Sequence, residues 1–70
     1  MIWEVWGKDL DGQGNWSFAV FPVDENRDMK IAMIPEGERT MLLTFEAESL
    51  EEASFIAYKH FGYEPPRFDL

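Results

Sequence analysis

Four short apolar stretches alternate with polar, turn-rich segments in the first 47 residues of the chain. Each stretch has the length and the aromatic or β-branched content of a strand, and they cover residues 2–7, 15–23, 29–34 and 40–47. The segments between them contain the Gly, Asp, Asn and Pro residues that favour turns. Connections this short favour antiparallel neighbours, so the pattern predicts a four-stranded antiparallel β-meander.

A helix is predicted after the fourth strand. The sequence Ser-Leu-Glu-Glu at 49–52 is a capping box, in which Ser49 caps the first turn and Glu52 reaches back to the Ser49 N–H. The helix is predicted over 50–61, because Gly62 suits the left-handed conformation that ends a helix and two prolines follow it. The predicted fold is therefore α+β, a ββββα arrangement with the helix packed on one face of the sheet. A tail over 62–70 completes one domain of residues 1–70.

Side chains alternate between two faces along each predicted strand, and one face is predicted to lie under the helix. That face carries Trp3, Val5, Trp16, Phe18, Val20, Met29, Ile31, Met33, Met41, Leu43 and Phe45. The opposite face carries Ile2, Trp6, Ala19, Phe21, Ala32, Ile34 and Leu42. This second set is more apolar than the solvent-facing side of a sheet needs to be.

Two explanations are open for this apolar face and for Phe55, which falls among charged residues on the outer side of the predicted helix. Either the tail, which ends Arg-Phe-Asp-Leu at 67–70, folds back over the apolar surface, or a second copy or another partner binds there. The second explanation predicts apolar partner contacts at Ile2, Trp6, Phe21, Ile34 and Phe55.

Composition narrows the class of protein. The chain has 70 residues, of which 46% are hydrophobic and 16% aromatic, and this is too apolar for a disordered acidic tail. The absence of cysteine excludes disulfides and thiolate zinc sites. No apolar run approaches the ~18 residues of a membrane span, and the N-terminus lacks the features of a signal peptide. We therefore expect a protein of the host-cell cytoplasm that does not bind membranes.

Candidate catalytic and metal-binding residues are few. His60 is the only histidine, and a lone histidine near a helix end more often complements the helix dipole than catalyses a reaction. Neither a positioned acid–base pair nor a Gly-rich phosphate loop is recognisable, so we predict that the chain is not an enzyme. Residues 9–15 resemble the start of an EF-hand calcium loop, but Val20 stands where the bidentate glutamate is required. We predict neither a metal nor a cofactor.

Charge is the most informative property for function. The chain has 14 acidic and 6 basic side chains, a net charge of −8, which disfavours direct binding to nucleic acid and favours a basic protein surface as partner. Solubility alone is the other explanation of such a charge. In an up-and-down meander, the segment 24–28 and the junction of the last strand with the helix lie at the same end. The carboxylates predicted to gather there, against Arg27 alone, are Asp24, Glu25, Asp28, Glu46, Glu48, Glu51 and Glu52.

In size, acidity and sheet-plus-helix layout, the chain resembles small phage-encoded inhibitors of the anti-CRISPR and anti-restriction kind. This resemblance implies a non-enzymatic inhibitor that occupies a basic nucleic-acid-binding surface of its partner and presents carboxylates where phosphates would lie. The Phe21-Pro22 pair and the helix start Ser-Leu-Glu-Glu-Ala at 49–53 are similar to HicB-like antitoxin domains. That second resemblance implies an antitoxin-like module. With the apolar sheet face, it makes the alternative function a structural, assembly or antitoxin-like module that acts through that face as a homodimer or complex subunit.

Overall fold

The computed structural model of the chain describes residues 1–65. They form a three-stranded antiparallel sheet with helical segments on both faces, which confirms the predicted α+β class. The strands are β1 (Ile2–Asp9), β2 (Trp16–Pro22) and β3 (Met41–Glu46). The helices are α1 (Arg27–Ala32) and α2 (Leu50–His60), and a 3₁₀ turn covers Glu36–Glu38. The end of the predicted tail, from residue 66 onward, lies outside the described residues.

The predicted third strand at 29–34 is wrong, because this segment forms α1 and the turn that follows it. Its burial has helical spacing: Ile31 and Ile34 face the sheet, whereas Met29 and Met33 are exposed. Met, Lys and Ala are strong helix formers, so intrinsic propensity favours the helix over the strand here. The prediction that Met29, Ile31 and Met33 lie under the C-terminal helix is wrong for the same reason.

The central strand of the sheet is β1, and the strand order is β2-β1-β3. Val5 pairs with Val20 of β2 on one side and with Leu43 of β3 on the other, both antiparallel. A meander would keep the strands in sequence order, so the predicted meander is also wrong. The chain leaves β2, crosses one face of the sheet as α1 and returns on the far side of β1 as β3.

The C-terminal helix α2 packs on the face predicted for it. The Ser49 hydroxyl accepts a hydrogen bond from the Glu52 N–H at 3.1 Å, and Gly62 adopts a φ of +79°, which confirms Ser49 as the N-cap and Gly62 as the stop. The predicted return bond, from the Ser49 N–H to the Glu52 side chain, is not among the hydrogen bonds of residues 1–65. Ala53 is fully buried against Trp3, which lets the helix approach the sheet closely. Val20, Phe45 and Ile56 pack around this contact.

An aromatic cluster joins the end of α2 to the start of β2. The Phe18 ring stacks on Phe61 at a centroid distance of 4.8 Å and meets the edge of Tyr58 at 5.2 Å. The Tyr63 hydroxyl accepts a hydrogen bond from the Trp16 N–H and donates one to the Gly14 carbonyl, both at 2.7 Å. These contacts hold the end of α2 against the turn between β1 and β2.

The opposite face of the sheet is covered by α1. Phe21 and Ile34 are 5% and 9% exposed, so they form a second apolar layer inside the chain. Glu4 lies in this layer, 8% exposed, and binds Arg27 of α1. Within residues 1–65, no helix is long and apolar enough to cross a membrane.

Candidate protein-binding surface

Two acidic stretches that are far apart in sequence emerge at the same end of the sheet. β2 ends at Pro22, opposite Trp3, and β3 ends at Glu46, opposite Ile2, because both strands run antiparallel to β1. The chain segments that follow these two strand ends are therefore neighbours, with strand ends about 10 Å apart across β1. We call this surface the acidic end; it comprises Asp24, Glu25, Asp28, Glu46, Glu48, Glu51 and Glu52.

All seven side chains of the acidic end are exposed. Asp24 accepts a hydrogen bond from the Asn26 N–H at 2.9 Å, which shapes the turn before α1. Glu51 and Glu52 lie in the first turn of α2, where carboxylates complement the helix dipole. The amino group of Met1 lies 4.0 Å from Glu46, and a pair this exposed contributes little energy. The negative charge of this end therefore faces solvent.

Arg27, the cation expected to offset the acidic end, is engaged elsewhere. Its Nε donates to Glu4 Oε1 at 2.6 Å and its Nη2 to Glu4 Oε2 at 3.3 Å. The guanidinium also lies over the Trp6 ring, 5.7 Å from its centroid, and Trp6 Nε1 donates to Glu4 at 3.2 Å. Asp28 is a weaker partner of Arg27, at 3.7 Å. The sequence does not reveal this pairing, because Glu4 reads as an ordinary exposed position on a strand.

The Glu4–Arg27 pair controls the pKa of Glu4. The hydrogen bond from Arg27 lowers this pKa below its ordinary value of 4.5, and the Trp6 hydrogen bond adds to the effect, while burial opposes it. A lowered pKa in the folded state means that the pair stabilises the fold above the unfolded-state pKa. This stabilisation is lost as the pH falls through the lower pKa of the folded state.

We expect Glu4→Gln to lower the free energy of unfolding by about 2 kcal/mol at neutral pH, because Arg27 loses its charged acceptor. The loss shrinks as the pH falls from 4.5 through the lower pKa of folded Glu4, because wild-type Glu4 is protonated first in the unfolded state and then in the folded state. Urea denaturation across this pH range measures the effect, with the exposed Glu48→Gln as a charge-matched control. A destabilisation of Glu4→Gln that does not change with pH would exclude the ionic contribution of this pair.

The carboxylates of the loop between β1 and β2, at the other end of the sheet, form hydrogen bonds within the loop. Asp9 accepts hydrogen bonds from the N–H groups of Gly12 and Gly14, each at 3.0 Å. Asp11 accepts from the Gln13 N–H and the Asn15 side chain, and these bonds lower its pKa. No group of three or more His, Asp or Glu side chains in residues 1–65 is arranged to hold a metal ion.

Some of the residues predicted as apolar partner contacts are buried in the structure, and others are exposed. Phe21 and Ile34 are buried within the chain, so this chain itself covers much of the face that the sequence leaves open. Trp6 is half-buried under Arg27. Ile2 and Phe55 remain 47% and 53% exposed, at separate places on the surface.

An apolar groove of about 440 Å³ runs along the outer edge of β2, and the sequence does not reveal it. Residues 19–22 of β2 form its floor. Lys30 of α1 and the next residues Met33 and Ile34 line one side, and Leu50 of α2 lines the other. Its lining residues therefore come from both faces of the sheet beside this edge strand. Reading 29–34 as a helix would have placed Met33 here, beside the edge strand.

Comparison of the chain with protein-family models, curated proteins and solved structures finds no match.

Proposed function

We propose that this protein is a non-enzymatic binding domain whose acidic end occupies a basic surface of a protein partner. A surface that otherwise handles nucleic acid is the favoured target, because its lysines and arginines are arranged to receive phosphates. Inhibition follows from competition between the acidic end and the nucleic acid for that surface. The observation that carries the proposal is that two distant stretches of the chain deliver seven exposed carboxylates to one end.

The arrangement of charge within the fold supports this function. Arg27 is held mainly by Glu4, at 2.6 Å, and among the salt bridges of residues 1–65 Asp28 is the one member of the acidic end that pairs with it, at 3.7 Å. The exposed charge is thus concentrated, and a concentrated charge accelerates association with a surface of opposite sign. A charge carried only for solubility has no need of such concentration.

The alternative function, a structural or antitoxin-like module that dimerises through the apolar sheet face, has weaker support. Phe21 and Ile34 are two of its predicted contacts, and both are buried within the chain. What remains for this alternative is the exposed Ile2 and the edge of β2.

Matched double variants test the acidic end. Glu25→Lys with Glu48→Lys removes one carboxylate from each acidic stretch and changes the net charge from −8 to −4. Glu36→Lys with Glu38→Lys makes the same change in net charge in the 3₁₀ turn. We expect the first pair to weaken equilibrium binding to immobilised polylysine at low salt about tenfold, and the second pair to weaken it much less. Equal losses for both pairs would show that net charge alone matters.

A further inference from the structure

The outer edge of β2 carries backbone groups without partners among residues 1–65. The Val23 N–H donates to the Ile2 carbonyl at 2.8 Å and the Leu10 N–H to the Asn15 carbonyl at 2.9 Å. With the register of the two strands, these bonds show which residues of β2 hydrogen-bond to β1 and which point their backbone groups the other way. Phe18 and Val20 therefore direct their N–H and C=O groups away from β1. No described strand pairs with this edge. Such an edge is a template for an added strand.

The apolar groove lies along the same edge. Its walls come from both faces of the sheet, with Met33 on the α1 side 77% exposed and Leu50 on the α2 side 52% exposed. Ala19, a small exposed side chain, leaves the floor open. A strand added to β2 would direct alternate side chains toward the two walls.

The groove opens at the acidic end. Leu50, which lines it, is followed directly by Glu51, and Pro22 is followed within three residues by Asp24 and Glu25. Among residues 1–65, Lys30 is the only charged residue that lines the groove. An occupant that reaches beyond Pro22 therefore meets carboxylates, and this favours an occupant with lysine or arginine at that end.

We propose that the edge of β2 binds an extended segment of the basic partner by strand addition, with apolar side chains in the groove and basic side chains at the acidic end. This proposal rests on the proposed function and adds the form of the ligand. Antiparallel addition places the basic residues at the N-terminal end of the segment, because β2 runs toward the acidic end. A second copy of this chain is a poorer occupant, since it brings a further charge of −8.

Synthetic peptides test the proposal on the full chain. The first has three lysines followed by alternating valine and threonine, and the second has the lysines alone. Ala19→Lys fills the groove with a cationic side chain, while Met29→Lys adds the same charge to an exposed position of α1 that does not line the groove. We expect the first peptide to bind more tightly than the second. Ala19→Lys should weaken binding of the first peptide about tenfold more than Met29→Lys does, whereas the two variants should affect binding of the second peptide equally.

A backbone substitution isolates strand addition from side-chain effects. Replacing the Val20 amide by an ester removes an outward N–H from the β2 edge, and the same replacement at Thr44 removes an outward N–H from the other edge of the sheet. We expect the Val20 ester to weaken binding of the valine–threonine peptide several-fold and the Thr44 ester to leave it unchanged.

Four other outcomes overturn the proposal. If both peptides bind equally tightly and Ala19→Lys does not weaken either, the binding site is the acidic end and does not include the groove. If neither peptide binds to the wild-type chain, the proposed function is refuted as well. Self-association abolished by Ala19→Lys would assign the groove to a second copy. Slow hydrogen exchange of the Phe18 and Val20 amides in the free monomer would show that the chain itself covers this edge.

Discussion

Alanine at Gly7 is expected to lower the free energy of unfolding by about 3 kcal/mol, the upper range for forcing extra atoms into a packed interior. Gly7 lies in the central strand opposite Phe18, and its N–H donates to the Thr40 carbonyl at 2.9 Å. A Cβ atom there would come within 1.9 Å of the Ser17 carbonyl oxygen and 2.7 Å of the Phe18 Cα. Both are backbone atoms, so the clash can be relieved only by separating β1 from β2.

Chemical denaturation of Gly7→Ala and of the control Gly37→Ala measures this effect. Gly37 has open space where its Cβ would lie, so its substitution should change the free energy of unfolding by less than about 0.5 kcal/mol. Losses of similar size in the two variants would mean that β1 and β2 do not approach each other closely at Gly7.

Trp3→Ala is expected to cost about 4 kcal/mol, most of the stability of a domain this small. Trp3 is 4% exposed beneath α2, in contact with Ala47 and Ala53. Its indole Nε1 donates a hydrogen bond to the Ala47 carbonyl at 3.0 Å, so truncation creates a cavity and also leaves that buried carbonyl without its donor.

Trp3→Phe separates the two contributions, because it keeps most of the apolar volume and loses the hydrogen bond. We expect it to cost about 2 kcal/mol, between wild type and Trp3→Ala. Thermal or urea unfolding measures both variants. A Trp3→Ala variant that unfolds at the same denaturant concentration as wild type would contradict the placement of Trp3 in the core.

Local signals in the sequence were enough to predict α2 and the face that it covers. Ser49 and Gly62 set the ends of this helix through their own backbone and side-chain chemistry, and both act as predicted. Strand alternation was enough to place Trp3, Val20 and Phe45 together, because a period of two depends only on which neighbouring residues are apolar.

The segment 29–34 was mispredicted because six residues are too few to separate an alternating pattern from a helical one. This error changed the strand number and order. It did not disperse the acidic end, because β3 runs antiparallel to β1 just as the fourth strand of a meander would. The Glu4–Arg27 pair and the groove depend on α1 lying over the sheet, and no local pattern could show them.

The salt dependence of association with a basic protein surface tests the role of the acidic end most directly. Wild type and the two charge-matched double variants are compared as ionic strength rises. We expect Glu25→Lys with Glu48→Lys to associate more slowly and with a flatter salt dependence than wild type, while Glu36→Lys with Glu38→Lys keeps a slope close to that of wild type. The same slope for all three proteins would contradict binding through the acidic end.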